Sequence, residues 1–374
     1  MTEAAQAGGG QPTKHGTKHG TMRAWAVVES GKPLAEIDLP MPEPKGAEIL
    51  LAVTHCGVCH SDLHLWDGYY DLGSSGRYDI IQRGIALPLA LGHEIVGRVM
   101  KLGPEATGVK PGDIRIVYPW VGCGQCAHCA AGEDNLCPKQ RSLGIYQHGG
   151  FATHVIAAHS GHLVDPGDID PALAATYACS GITVFSAIKK IMPLAPDQPV
   201  VLIGAGGLGL SAIAVLKALG HRAIVSVDTS ATKRDAAALA GATATVDGTA
   251  ERLDKAIIAA CGGQPVAIID LVNGSGTARA AHAALAKGGK LVMVGLFGGD
   301  LTLPLPFMPM RALTLQGSYV GSPGELRDLV ALAQGGALPK LPIETVPQRE
   351  ADAALHRLKA GGVTGRLVLV AEAV

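Results

Sequence analysis

The chain has 374 residues, a formal net charge of -1 and 48% hydrophobic residues. That length exceeds what one hydrophobic core usually serves, so two domains are expected, and the near-neutral balance gives no footprint for nucleic acid or an anionic membrane. No segment reads as the roughly 20 consecutive apolar residues of a bilayer span.

The opening stretch, MTEAAQAGGGQPTKHGTKHG, lacks the apolar region of a secretory signal and reads as a disordered polar tail over residues 1–21. A cytoplasmic location is expected on that basis. There, eight cysteines serve as metal ligands or buried thiols rather than disulfides. The first ordered strand is predicted at MRAWAVVE, and the Pro-rich LPMPEPKG leads to a second at EILLAVTHC. HCGVCHSDLH, residues 55–64, follows with two cysteines and three histidines. Cys56 and Cys59 have the spacing of a zinc knuckle or a redox dithiol, and the stretch alone does not choose between them. The segment from Tyr69 to Leu87 has the length of a lid.

CGQCAHCAAGEDNLC then sets Cys123, Cys126, Cys129 and Cys137 within one glycine-bearing loop. Four thiolates at that spacing can close a tetrahedral zinc shell with no open position, which makes the site structural. An iron–sulfur cluster also takes four cysteines, but the run differs from the ferredoxin pattern. To about residue 165 the chain alternates short strands with Gly/Pro turns, as a mainly β domain does.

From residue 172 the pattern changes. PALAATYACSGITVFSAIKK reads helical, and PVVLIGAGGLGLSAIAVLKALGHRAIVSVD reads strand, turn, helix, strand. Gly204, Gly206 and Gly209, with Gly207 and Leu208 between, form a dinucleotide fingerprint. The first glycine turns the chain, the second admits the pyrophosphate and the third lets helix and strand pack closely. Asp228, ending the next strand, is placed for the ribose hydroxyls and repels a 2′-phosphate, which favours NAD over NADP. Lys233 can support the ribose. With further strands at VAIIDLV and KLVMVGLF, the α/β alternation implies a doubly wound parallel sheet, a Rossmann domain. The helix PGELRDLVALAQ and the strand RLVLVA close the chain. The expected division is a mainly β domain over 22–175 and 320–374 with the Rossmann domain, 176–319, inserted.

Taken in order, GVCHSDLH, LGHEIVG, the four-cysteine loop, ACSGITVFSAI, GAGGLG and GRLVLV resemble the zinc-dependent alcohol dehydrogenases of the medium-chain dehydrogenase/reductase superfamily. WDGYYDLGSSGRYDIIQRGIALPLALGHE and MVGLFGGD look most like the archaeal and bacterial tetrameric, NAD-dependent members. The resemblance spans nearly everything from residue 22 onward. It implies a GroES-like catalytic domain, two zinc ions per subunit and a homo-tetramer, with a dimer as the alternative.

It also implies Cys59, His93 and Cys179 as catalytic zinc ligands, Glu94 as an acid able to approach the zinc, and Asp62 as a carboxylate behind the ligand histidine. Ser61 and His64 take the positions of a proton relay, and His60 and Arg366 those of pyrophosphate contacts. Trp66 and Trp120 are expected in the substrate cleft, with Tyr70 and Leu296 as weaker candidates. The implied reaction is hydride transfer between an alcohol and NAD, with reverse reduction of aldehydes or ketones. A specialised polyol substrate, a zinc-free reductase on the same fold, and a non-catalytic nucleotide-binding protein are the competing readings.

Overall fold

The computed structural model describes residues 20–372, so all but the last two positions of the expected polar tail lie outside it. Thr21–Val27 pairs antiparallel with Ala35–Pro40 and with the short Leu89–Ala90. Beside this small sheet lies a seven-stranded one. Its order is Leu163–Val164, Ile114–Val117, Glu94–Leu102, Ile49–Val58, Arg366–Val370 and Ile343–Pro347, with His154–Ala157 also paired to Ile49–Val58. The long central strand, ILLAVTHCGV, is rich in β-branched and apolar residues and is largely buried. Its register against Arg366–Val370 sets Val58 opposite Leu367. Residue 366 thereby comes beside the residues that precede Cys59.

The third sheet is wholly parallel, in the order Ala244–Asp247, Ile224–Asp228, Val200–Ile203, Ala267–Asp270, Lys290–Met293 and Thr314–Gly317. Numbered along the chain this is 3-2-1-4-5-6, the order whose reversal point opens a dinucleotide crevice at the strand ends. Val200–Ile203 is buried throughout, as a strand covered on both faces must be.

One run departs from the sequence expectation. Pro171–Ile191 is a continuous 21-residue helical stretch long and apolar enough to cross a membrane by composition alone, yet 89% of its apolar window is buried inside the protein. Its apolar faces are spent on the core between the two domains. The start is fixed locally: Asp170 accepts from the N–H groups of Ala172 and Leu173 (2.9 and 3.2 Å), with Pro171 as the first helical residue. In its middle, Tyr177–Gly181 winds as a π turn between Pro171–Thr176 and Ile182–Ile191. Such turns interrupt the regular ladder at functional positions, and this one carries Cys179.

Candidate metal and cofactor site

Three distant segments converge on one buried point. Cys59 caps the helix His60–Asp67, His93 precedes the strand Glu94–Leu102, and Cys179 projects from the π turn. Their donor atoms lie within 4.8 Å of one another, and the two sulfurs are 4.0 Å apart. Two sulfurs about 2.3 Å from one tetrahedral ion stand about 3.8 Å apart, so the donor set has the dimensions of a zinc site. His93 is fully buried and neither ring nitrogen makes a geometric hydrogen bond; Nδ1 has the Asp62 carboxylate beside it and Nε2 has nothing, a costly state that a metal ion relieves.

Asp62 organises this triad. Its carboxylate is fully buried, accepts from the N–H of Cys59 (2.9 Å) and of Gly92 (3.1 Å), and lies 3.2 Å from His93 Nδ1. One side chain thus orients two ligands, leaving His93 Nε2 for the metal. Gly92 has φ +87, and a Cβ there would stand 2.7 Å from Cys56 Sγ and 2.5 Å from the Phe151 ring. The LGHE motif therefore needs glycine before its histidine. Cys56 is buried in that packing and takes no part in the triad. The Cys59 thiol is held well below its ordinary pKa, by its contact with Cys179 above all and by His93. The same contact raises Cys179. Burial would lower His93, but Asp62 and Cys59 together raise it.

Glu94, next to His93 in sequence, stands outside the triad of donor atoms. Its carboxylate is committed to the Arg366 guanidinium and to the Ser180 N–H (3.1 Å), and burial pushes its pKa up to about 7 against the pull of Arg366. A side chain on Gly57 would collide with this carboxylate. Arg366 differs likewise from a simple phosphate contact. It is buried, pairs with Glu94, and donates to the Val58 carbonyl at 3.3 Å, while its Nε has no partner. Its other flank abuts the glycine turn, where a Cβ on Gly207 would stand 2.5 Å from Arg366 Cδ. Arg366 therefore bridges the buried acid beside the triad and the dinucleotide turn.

A cavity opens where the two domains meet. His60, Gly206, Gly207, Leu208, Lys233 and Arg366 all line it, together with Cys59 itself. A Cβ on Gly206 would meet nothing within 4 Å, so this wall faces open space. The helix Gly207–Ala218 begins there with free N–H groups, and three basic side chains surround it, a setting for phosphate. Burial, with Arg366 and Lys233 adding to it, holds His60 below its ordinary pKa. Gly204 takes φ +102 in the turn, and a side chain on Gly209 would run into the Gly204 carbonyl. Asp228 accepts from Ala205 N–H (2.8 Å) and Ser230 N–H (2.9 Å), so it also braces the turn.

The helix from His60 to Asp67 sorts its residues by phase. His64 stacks on Tyr70, with centroids 5.1 Å apart, and Ser61 is one turn back on a neighbouring face, half-buried. Trp66 is two positions beyond His64, about 200° round the helix. Its indole N–H donates to the Lys32 carbonyl (2.6 Å), and its ring meets His356 and Lys359. Trp66 is thus a packing residue between helices and not part of the cleft. Trp120 lies on the metal side. It donates to the Ala178 carbonyl (3.1 Å), and its ring is 5.3 Å from that of His93. Leu296 is exposed. The Tyr69–Leu87 segment forms a small hairpin, Tyr69–Asp71 with Arg77–Asp79, whose tip docks on the opposite domain through Ser74 N–H to Asp300 (3.0 Å).

The second cluster holds together within one loop. Cys123, Cys126, Cys129 and Cys137 bring their sulfurs within 4.8 Å, and no two form a disulfide. Cys137 Sγ accepts from the N–H groups of Cys123 (3.2 Å) and Lys139 (3.3 Å). Backbone N–H groups of Gln125 and Cys126 pull the Cys123 thiol down to about 6, which favours its thiolate, while burial pushes Cys129 up to about 12.

Comparison with known proteins gives a consistent picture. Residues 45–166 match the alcohol dehydrogenase GroES-like domain, and residues 207–335 match the zinc-binding dehydrogenase domain. An NAD-dependent alcohol dehydrogenase from Sulfurisphaera tokodaii is 37% identical over 93% of this chain and 100% of its own length. One from Saccharolobus solfataricus is 36% identical with the same coverage. Among solved structures, the alcohol dehydrogenase of Aeropyrum pernix superposes with TM-score 0.84 at 30% identity, over 93% of this chain and 99% of that one. A D-arabinose 1-dehydrogenase (NADP(+)) from Saccharolobus solfataricus is also similar, 32% identical over 93% of this chain and 97% of its own length.

Proposed function

Since this chain belongs to the zinc-binding, GroES-like alcohol dehydrogenase family and is an NAD-dependent oxidoreductase, we propose that it interconverts primary, secondary or aromatic alcohols with their aldehydes or ketones, using a zinc held by Cys59, His93 and Cys179. The observation that carries the reading is the buried triad, with His93 Nε2 unsatisfied, opening onto a cavity that Cys59 shares with the dinucleotide turn. A second zinc belongs to Cys123, Cys126, Cys129 and Cys137 and holds their loop.

Zinc supplies Lewis-acid polarisation that lowers the pKa of a hydroxyl, and NAD supplies the hydride acceptor. The chain's own residues do the rest. Gly206 and Gly207 leave room for the pyrophosphate, Lys233 and Arg366 supply positive charge beside it, and the neutral His60 ring supplies a hydrogen-bond donor. Asp228 accepts from the ribose hydroxyls and disfavours a 2′-phosphate. Ser61 takes the proton leaving the substrate hydroxyl, and His64 passes it outward. Trp120 forms the apolar wall against His93. Glu94, tied to Arg366, couples the metal site to the cofactor site. In solution the chain forms a homo-tetramer.

The D-arabinose relative favours a second reading of substrate, a polyol or sugar in place of a simple alcohol. NADH formation across a panel of alcohols and sugars, before and after chelation, tests both. Turnover of sugars alone would favour the second, and none at all would overturn both.

A further inference from the structure

Several buried or half-buried arginines have a carboxylate partner. Arg366 is paired with Glu94, Arg115 with Asp113 and Arg234 with Asp247. Arg83, half-buried, has no carboxylate partner among the described residues. The nearest acid in sequence, Asp79, is committed to the Ile81 N–H at 2.7 Å. Arg83 is not on a loose loop. Its N–H donates to the Ile80 carbonyl (3.0 Å), Ile85 N–H returns to the same carbonyl (3.3 Å), and both isoleucines are buried. The turn is pinned at both ends, so the guanidinium is presented and not merely tethered.

What Arg83 faces is the proposed reaction centre. Its guanidinium lies 5.0 Å over the ring of Tyr70, which stacks at 5.1 Å on the relay candidate His64. The Tyr146 phenol also lies within hydrogen-bond reach of it. Tyr319 meets Trp120 edge-on at 5.7 Å, and Trp120 lies 5.3 Å from His93. One chain of ring contacts therefore leads from Arg83, through Tyr70, to His64. A half-buried guanidinium without a counter-ion is costly, and tyrosine rings offset only part of that cost. Its planar fork of donors matches a carboxylate, and a single positive charge balances a monoanion better than a phosphomonoester.

We propose that Arg83, on its pinned turn and flanked by Tyr70 and Tyr146, is a specificity-determining residue that binds the carboxylate of a hydroxy-acid substrate, whose alcohol end sits at the Cys59–His93–Cys179 site. The inference rests on the alcohol dehydrogenase reading above and narrows it to alcohols and aldehydes that carry an acid group at their far end.

The test compares matched pairs on the zinc-loaded enzyme with NAD: 6-hydroxyhexanoate against 1-hexanol, and 4-(hydroxymethyl)benzoate against benzyl alcohol. The acid of at least one pair is expected to show the higher kcat/KM, with the preference shrinking at high salt. Arg83→Gln should cut kcat/KM for that acid about 10- to 100-fold, mostly through KM, and leave its neutral partner near the wild-type value. Arg83→Lys should fall between them. A wild-type enzyme that prefers the neutral alcohol in both pairs would overturn the proposal while leaving the dehydrogenase reading intact. So would an Arg83→Gln enzyme that loses acid and alcohol equally, because Arg83 would then act only by positioning Tyr70 and His64. Absence of NADH from all four compounds and from the wider alcohol panel would overturn the parent reading as well.

Discussion

Asparagine at position 62 should separate the two proposed metal sites. Asp62 is fully buried and serves three partners: Cys59 N–H at 2.9 Å, Gly92 N–H at 3.1 Å and His93 Nδ1 at 3.2 Å. Asp62→Asn keeps the shape but turns one acceptor oxygen into a donor facing donors. At least one buried N–H is then left unpaired, which costs about 1–3 kcal/mol of stability. The lost negative charge also weakens His93 as a ligand, and partners of this kind typically contribute roughly 10- to 100-fold to metal affinity. Zinc quantified during titration with a competing chelator reads the affinity, and a thermal melt reads the stability. The four-cysteine loop is the internal control, since no hydrogen bond joins it to Asp62 among the described residues. One zinc should become easier to remove while the other is unchanged. Two unaltered zinc affinities, or equal weakening of both, would refute the assignment of Asp62 to the Cys59–His93–Cys179 site.

Three further substitutions test the remaining roles. Burial, and then the charge of His60, hold His64 below its ordinary pKa, so its ring stays neutral and able to accept a proton to lower pH than a free histidine. His64→Ala should therefore slow turnover most in mildly acidic solution, by roughly 10- to 100-fold, with zinc content unchanged; an unaltered pH–rate profile would remove His64 from the relay. Asp228→Gly should weaken NAD and relatively improve NADP. It also frees the Ala205 N–H, so some loss of both cofactors is expected, and an unchanged NAD/NADP ratio would misplace the ribose site. Trp66→Phe should cost about 1–2 kcal/mol through the lost indole hydrogen bond and weakened Lys359 contact. Its kinetic constants should match the wild type, and a changed alcohol preference would return Trp66 to the cleft.

How far the sequence speaks depends on how local each feature is. The dinucleotide turn lies within six consecutive residues between a strand and a helix, and the four cysteines lie within one loop, so pattern and chemistry can be read together. The Cys59–His93–Cys179 triad draws on three segments brought together by strand pairing and a π turn. Spacing alone leaves Cys56 and Cys59 equivalent; resemblance separates them, and donor geometry supplies the physical reason, since both are buried but only Cys59 stands with His93 and Cys179. The Glu94–Arg366 pair joins positions 272 apart and depends on the C-terminal strand lying against Ile49–Val58. No local signal announces it, although Gly57, which cannot bear a side chain beside Glu94, is its trace. Trp66 was misplaced because it shares a segment with His64, whereas helical phase turns it to the opposite face. Arg83 carried no motif at all, and only the rings around it mark its position.

The central claim is a buried, removable zinc at Cys59, His93 and Cys179 that the reaction requires, beside a second zinc that it does not use chemically. Metal content per subunit, measured alongside NADH formation through stepwise chelation and zinc return, tests it most directly. Two zinc per subunit are predicted at the start, with activity lost in step with removal of one of the two ions and recovered when zinc is restored. Full activity in protein freed of zinc would contradict it.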